Sequence, residues 1–211
     1  GGGLTSKTLT GFGLVARAGS GIKTAQDCLG KKIGVPGLGA FLHVTFRAWL
    51  KDSGVDYRKV NFVEAAFPQH ADLLRGGSVD AVVSADPFMS RITDSGAGYV
   101  ASYYSTFLPE NKPTIVHAAK REWVQKNPAA ARSFREAVQE GGAFMQQPKN
   151  DARVRAIIGK YIKLPAEVLA KIQISPPGPI VSEQQLAYWV GLMKEQDMLK
   201  SSIDIAQLIA K

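Results

Sequence analysis

The chain has 211 residues, 45% hydrophobic and 21% charged, enough for one large domain or two small ones with a substantial core. Every apolar run is broken by a charge, Gly or Pro within about 18 residues, which excludes a membrane-spanning helix. The single Cys28 excludes an internal disulfide and a thiolate metal cluster. The net charge of +8 is dispersed, with no Lys/Arg run longer than two residues (Lys31-Lys32, Arg58-Lys59, Lys120-Arg121), so it reads as solvated surface rather than a nucleic-acid face. No leader is visible at Gly1-Gly2-Gly3; any signal peptide is removed or lies outside this chain.

Along the chain, short β-like runs alternate with helical periods. Phe12–Ala16 predicts a first strand. Ile33–Val35 predicts a second, followed by a helix over Ala40–Ser53 that buries Leu42, Phe46, Trp49 and Leu50 and exposes His43, Arg47 and Lys51, with Gly54 closing it. Asn61–Val63 is a third strand, and Pro68 starts a short helix that stops at Gly76-Gly77. The run "VDAVVS", Val79–Ser84, is apolar enough for a strand buried on both faces. A helix begins at Asp86-Pro87, and Tyr99–Ser102 and Thr114–Ala118 are further strands. This alternation predicts a mainly parallel sheet with helices on both sides.

Beyond about residue 120 only helical patterns remain. Asn127-Pro128 is an N-cap followed by proline at the first helical position, and Ala130, Phe134, Ala137 and Val138 mark the apolar face. Val154, Ile157, Ile158 and Tyr161 mark another helix, Pro165 opens the next, and "ISPPGPIV" is a stiff linker. Ser182 and Gln185 form a capping box before Leu186, Trp189, Val190 and Met193. The chain thus holds one α/β unit, roughly 22–112, flanked by two strands that look like crossings, and a helical remainder with little sheet to cover.

Three segments carry candidate chemistry. "GVPGLGAFL" is a glycine-rich turn at a helix start, whose free N–H groups suit an anion or polar acceptor. It lacks the third glycine of a dinucleotide fingerprint and the G-K-S/T of a phosphate loop, and a tight connection with no ligand fits equally. In "SADPFMSR", Asp86 sits just past a strand's carboxyl end, where it either accepts a ligand amine or caps the helix, and Phe88 offers a ring face. Phe67 and Gln69 lie on the turn after the third strand, with His70 on the surface of the helix that follows. There is no G-x-S-x-G elbow and no H-E-x-x-H; His43, His70 and His117 are too scattered for a metal site. No spacing supports a triad of Ser84, Asp86 and a histidine.

The runs "TAQDCLGKKIGVPGLGAFLHVTFRAWLKDSGVD" and "AAFPQHADLLRGGSVDAVVSADPFMSR", with the closing "VSEQQLAYWVGLMKEQDMLKSSID", resemble solute-binding proteins of ABC importers. The match is to the nitrate/sulfonate/taurine and thiamine-precursor (NMT1/THI5-like) branch. The resemblance implies an α/β periplasmic-binding-protein type II (Venus flytrap) fold, with a mixed, mainly parallel sheet in each lobe and a ligand clamped between lobes. It assigns 1–21 to the end of lobe 1 and the first crossing strand, 22–112 to lobe 2, and 113–211 to the return crossing and the C-terminal helices of lobe 1. The opening units of lobe 1 are then absent from this chain. The implied site is Gly37, Leu38, Gly39, Ala40, Phe41, Phe67, Ser84, Asp86 and Phe88, with no catalytic residue, metal or cofactor. Its partners are a small-molecule solute and the permease subunits, without nucleic acid, and with the membrane only through the permease or a lipid anchor. The location is periplasmic or otherwise extracytoplasmic.

Leu38, Gly39 and Phe41 stand where sulfonate and nitrate binders of this branch often carry Ser, Thr or His. That weakens the case for a small inorganic oxyanion and favours an apolar or aromatic-friendly wall. The expected ligand is a small organic sulfonate, carboxylate or heteroaromatic compound. The alternatives are an enzyme on the same scaffold (a desulfinase, decarboxylase or pyrimidine synthase, the last disfavoured by a single cysteine) and a ligand-sensing regulatory domain.

Overall fold

The computed structural model describes residues 3–8, 10–162, 166–171, 173–175, 177–178 and 180–210. The chain divides into two units, Lys7–Leu108 and Gly1–Ser6 with Pro109–Lys211.

The first unit is built on five strands: β1 (Phe12–Arg17), β2 (Lys32–Val35), β3 (Asn61–Glu64), β4 (Ala81–Ala85) and β5 (Gly98–Ser102), in the order β3-β2-β4-β1-β5. β2 pairs in parallel with β3 (Ile33 opposite Phe62) and with β4 (Ile33 opposite Ala81). The crossovers are α1 (Phe41–Asp52) and α2 (His70–Arg75), as parallel pairs require. β1 runs antiparallel to β4 and to β5, so four of the five strands point one way. The segment expected as a crossing therefore lies inside the sheet, between β4 and β5.

Alternation along the strands divides the core between two faces. Leu14, Ala16, Ile33, Val35, Ala81 and Val83 pack with Leu42, Phe46 and Leu50 of α1. Val15 and Val82 pack on the other face with Ala71 and Leu74 of α2 and with Met89 and Ile92 of α3 (Phe88–Asp94). Gly13 lies just before the point, between Leu14 and Val15, where β1 and β5 shift register, and a Cβ there would lie 2.5 Å from the Ser102 carbonyl oxygen. Glycine is the residue that lets the two backbones approach so closely.

Two expectations about polar faces are corrected. His43, expected on the exposed side of α1, is buried, with its ring 4.6 Å from and edge-on to Phe62 of β3. The neighbouring Arg47 lays its guanidinium 4.0 Å over the Tyr57 ring, so this side of α1 is folded against β3 and the turn before it. His70, expected on the surface, is completely buried; its partners are given below.

The second unit is helical among its described residues: α4 (Arg121–Lys126), α5 (Pro128–Met145), α6 (Asp151–Tyr161), α7 (Ala166–Lys171) and α8 (Glu183–Glu195). α8 starts with both hydrogen bonds of the Ser182–Gln185 capping box. Asn127 does not cap α5 with its side chain; its Nδ2 donates instead to Trp123 O at the end of α4. Thr114–Ala118 forms no strand. Pairing with the N-terminal segment ends at Thr114, whose N–H donates to Gly3 O, and beyond it Ile115 is 65% exposed. A strand needs a ladder partner, and no described residue supplies one there. The apolar faces of α5 and α6 form as predicted but stay partly open, with Phe134 and Ile157 exposed. Pro165 and parts of the linker expected at 174–181 lie outside the described residues. Among the described residues no helix is long and apolar enough to cross a membrane.

Candidate functional site

β2, β3 and β4 end at one edge of the sheet, and each is followed there by a short connection into a helix or turn. The connection after β2 leads through α1 to β3 on one side, whereas β4 lies on the other. This divergence is a topological switch point, where open α/β sheets hold ligands beyond the strand carboxyl ends. β1, being inverted, begins at the same edge, with Phe12 opposite Ala85.

The turn after β2 is more self-contained than its glycines suggest. The Leu38 N–H donates to Glu64 Oε2 at the end of β3 (3.1 Å), the Gly39 N–H donates to His43 Nδ1 (2.9 Å), and the Ala40 N–H donates to Gly37 O (3.2 Å). Gly39 has φ +80°, a left-handed conformation glycine adopts without steric cost. The amides expected to be bare are therefore satisfied within the protein. Because Nδ1 of His43 accepts from Gly39, the neutral ring carries its proton on Nε2. Burial first, and the Arg47 charge second, push the imidazolium down to a pKa of about 4, so the ring is neutral at physiological pH. Its Nε2 is buried with no hydrogen-bond partner.

After β4, the Asp86 N–H donates to Gly11 O (3.0 Å). Asp86 Oδ1 accepts from the Ser90 N–H (3.0 Å) and Ser90 Oγ (2.7 Å). Asp86 thus holds the first turn of α3 and is itself an exposed residue. The half-buried Phe67 and Phe88 stack at 5.3 Å and 13°. Phe41 meets Phe12 edge-on at 5.4 Å, and Leu38 is 53% exposed. Of the expected residues, Phe67 and Phe88 are brought into contact, and Gly37 to Phe41, Phe67, Asp86 and Phe88 all lie on the connections at this sheet edge.

Ser84, expected to line the site, is fully buried. It shares strand parity with Val82, which faces α2 and α3, so its hydroxyl lies beneath that face. The Ala65 carbonyl can only accept, so the 2.8 Å contact places the His70 proton on Nε2. Nδ1 then accepts from the Ser84 hydroxyl at 3.0 Å. Burial lowers the His70 pKa, opposed by the Ala65 hydrogen bond. The chain Ser84–His70–Ala65 ends on a carbonyl and contains no accessible nucleophile. It ties β4 and α2 to the turn that presents Phe67.

Phe12, Glu64 and His43 belong to this edge and were not expected there. Glu64 had a readable signal, a carboxylate at the last position of a strand. Phe12 and His43 had none, since their places depend on strand order and on contact with β3. A separate cavity of about 470 Å³ lies in the second unit, lined by Met145, Asp151, Val154, Arg155 and Pro177 among others. Its charges are already engaged: Arg155 Nε pairs with Asp151 Oδ2 at 2.8 Å, and Nη1 donates to Leu169 O. Among the described residues no group of three His, Cys, Asp or Glu is placed to hold a metal ion.

The sequence pattern of the NMT1-like family matches residues 15–159. The bicarbonate-binding protein CmpA of Synechococcus is 25% identical over 129 residues, covering 60% of this chain and 28% of CmpA. The chain thus spans less than a third of that relative's length. In fold, the chain is similar to the alkanesulfonate-binding protein SsuA of Xanthomonas axonopodis pv. citri, solved with MOPS. The TM-score is 0.73 at 15% identity, over 99% of this chain and 72% of SsuA. It is also similar to the desulfurization enzyme DSZB, with TM-score 0.58 at 14% identity, over 94% of this chain and 73% of that one.

Proposed function

Because the chain belongs to the NMT1-like family, we propose that its protein is the extracytoplasmic solute-binding component of an ABC importer. It captures a small organic molecule and delivers it to the permease subunits. The observation that carries this reading is the meeting of the connections after β2, β3 and β4 at a switch-point edge, where open α/β sheets hold ligands. The wall on this chain is Gly37, Leu38, Gly39, Ala40, Phe41, Phe67, Asp86 and Phe88, joined by Phe12 and Glu64. The Lys7–Leu108 unit serves as lobe 2, and closure of the two lobes on the solute forms the surface the permease recognises.

The test is a thermal-shift panel on the full-length protein with nitrate, bicarbonate, alkyl and aryl sulfonates, carboxylates, aromatic amines and aminopyrimidines. A true ligand at 100 times its Kd stabilises the folded state by about 2.7 kcal/mol, a rise of several degrees in Tm. A shift confined to one chemical class supports the reading; a flat panel refutes it. The fold shared with a desulfurization enzyme puts an enzyme second. Mass-spectrometric detection of a changed ligand after incubation would favour that alternative.

A further inference from the structure

The charge at the candidate edge is opposite to that of the chain. The chain carries +8, yet residues 11–13, 36–41, 64–69 and 85–90 contain no Lys or Arg and contain two carboxylates, Glu64 and Asp86. His43, the basic side chain bound into the β2 turn, gives its Nδ1 lone pair to the Gly39 N–H and is buried, so it brings no positive charge. Oxyanions held at such turns rest on backbone N–H groups. Here the Leu38, Gly39 and Ala40 amides already have acceptors in Glu64, His43 and Gly37. The Glu64 carboxylate occupies the place of the anion.

We propose that Glu64 is the specificity-determining residue of this edge. Its carboxylate blocks oxyanions from the Leu38 amide and, with Asp86, selects a solute bearing an amine or another cationic N–H donor on an aromatic or apolar body. The inference rests on the solute-binding reading, which locates the site by strand order and family; the two acids only define what it takes. Each acid commits one oxygen to the protein, Glu64 Oε2 to Leu38 and Asp86 Oδ1 to Ser90. Both residues are exposed and leave their second oxygen to accept from a ligand ammonium or protonated ring nitrogen, which makes the stronger, charge-assisted kind of hydrogen bond. The Phe67–Phe88 stack and the Phe12–Phe41 pair supply rings for an aromatic body and for cation–π contact with its charge. A sulfonate, nitrate or bicarbonate would meet two negative groups and no cation on these segments.

The experiment is calorimetric titration of the full-length protein with benzylamine, benzenesulfonate, ethanesulfonate, nitrate and bicarbonate, repeated on Glu64→Gln and Glu64→Ala. Glu64 is an exposed strand-end residue, and unchanged melting without ligand checks that both variants fold. Wild type is expected to bind benzylamine at least tenfold more tightly than benzenesulfonate. Glu64→Gln keeps an acceptor for Leu38 and is expected to lose tenfold or more for the amine. Glu64→Ala frees that amide and is expected to gain tenfold or more for an oxyanion. Tight binding of an oxyanion by wild type, or benzylamine binding indifferent to Glu64→Gln, overturns the inference while leaving a solute-binding protein. No heat with any probe, in wild type or either variant, overturns both.

Discussion

Replacing His43 by asparagine separates the hydrogen bond that orders the β2 turn from the titration of the side chain that makes it. Asparagine Oδ1 stands close to where Nδ1 accepts from Gly39 but binds no proton. In the wild type, burial and Arg47 hold the folded imidazole at about 4 against an ordinary 6.5. Between those values the unfolded chain binds the proton and the folded chain does not, so unfolding becomes easier as pH falls. The contribution is complete above about pH 6.5 and is lost as pH drops towards 4. At pH 5, one and a half units below the ordinary value, the loss is about 2 kcal/mol at 1.36 kcal/mol per unit. For a chain of this length that corresponds to about 4–8 °C in Tm. The assay is melting of wild type and His43→Asn at pH 7.5 and pH 5. His70, also held neutral by burial, destabilises both proteins alike in acid and cancels in the comparison. Wild type should lose about 4–8 °C more than the variant. Equal losses would refute the neutral, buried histidine.

Two further outcomes test the frame beneath the site. Ser84→Ala removes the hydroxyl that donates to His70 Nδ1 and should cost about 1–3 kcal/mol in urea unfolding, the price of a buried unpaired acceptor; in a cycle with His70→Ala the coupling should be about 0.5–3 kcal/mol, and additive losses would show that the bond is not shared. Gly13→Ala places a Cβ 2.5 Å from the Ser102 carbonyl oxygen and should cost about 1–3 kcal/mol through forced separation of β1 and β5, so an unchanged urea midpoint would contradict the close approach.

The two histidines also mark where reading by pattern stops. Position 43 falls four before Arg47 and eight before Lys51 on α1, and position 70 follows a proline turn; at that level both belong to polar helix faces. Their burial comes from Phe62 and Ser84, 19 and 14 residues away in the chain; both ring nitrogens of His70 have partners, whereas His43 is bonded through Nδ1 alone. Thr114–Ala118 failed in the opposite sense. Its β-branched residues, Thr114, Ile115 and Val116, suit a strand, but propensity does not supply a ladder partner. The turn after β2 was recognised from its glycines, yet the occupants of its amides were not, since Glu64 and His43 approach from another strand and from the following helix.

The order of strands and helices through residue 108, and the helical character beyond residue 120, follow from the sequence by itself. The same holds for the siting of Gly37–Phe41, Phe67 and Asp86 just past strand ends. These are consequences of local periodicity and of Gly and Pro punctuation, which act within a few residues. Strand order, the insertion of β1 between β4 and β5, the withdrawal of Ser84 beneath the sheet and the neutralisation of the turn amides by Glu64 and His43 were decided only in the tertiary structure. Apart from the Gly39–His43 bond, which spans four residues, each depends on contacts between segments more than ten residues apart, whose pairing is selected by burial of the whole core rather than by any one stretch of chain.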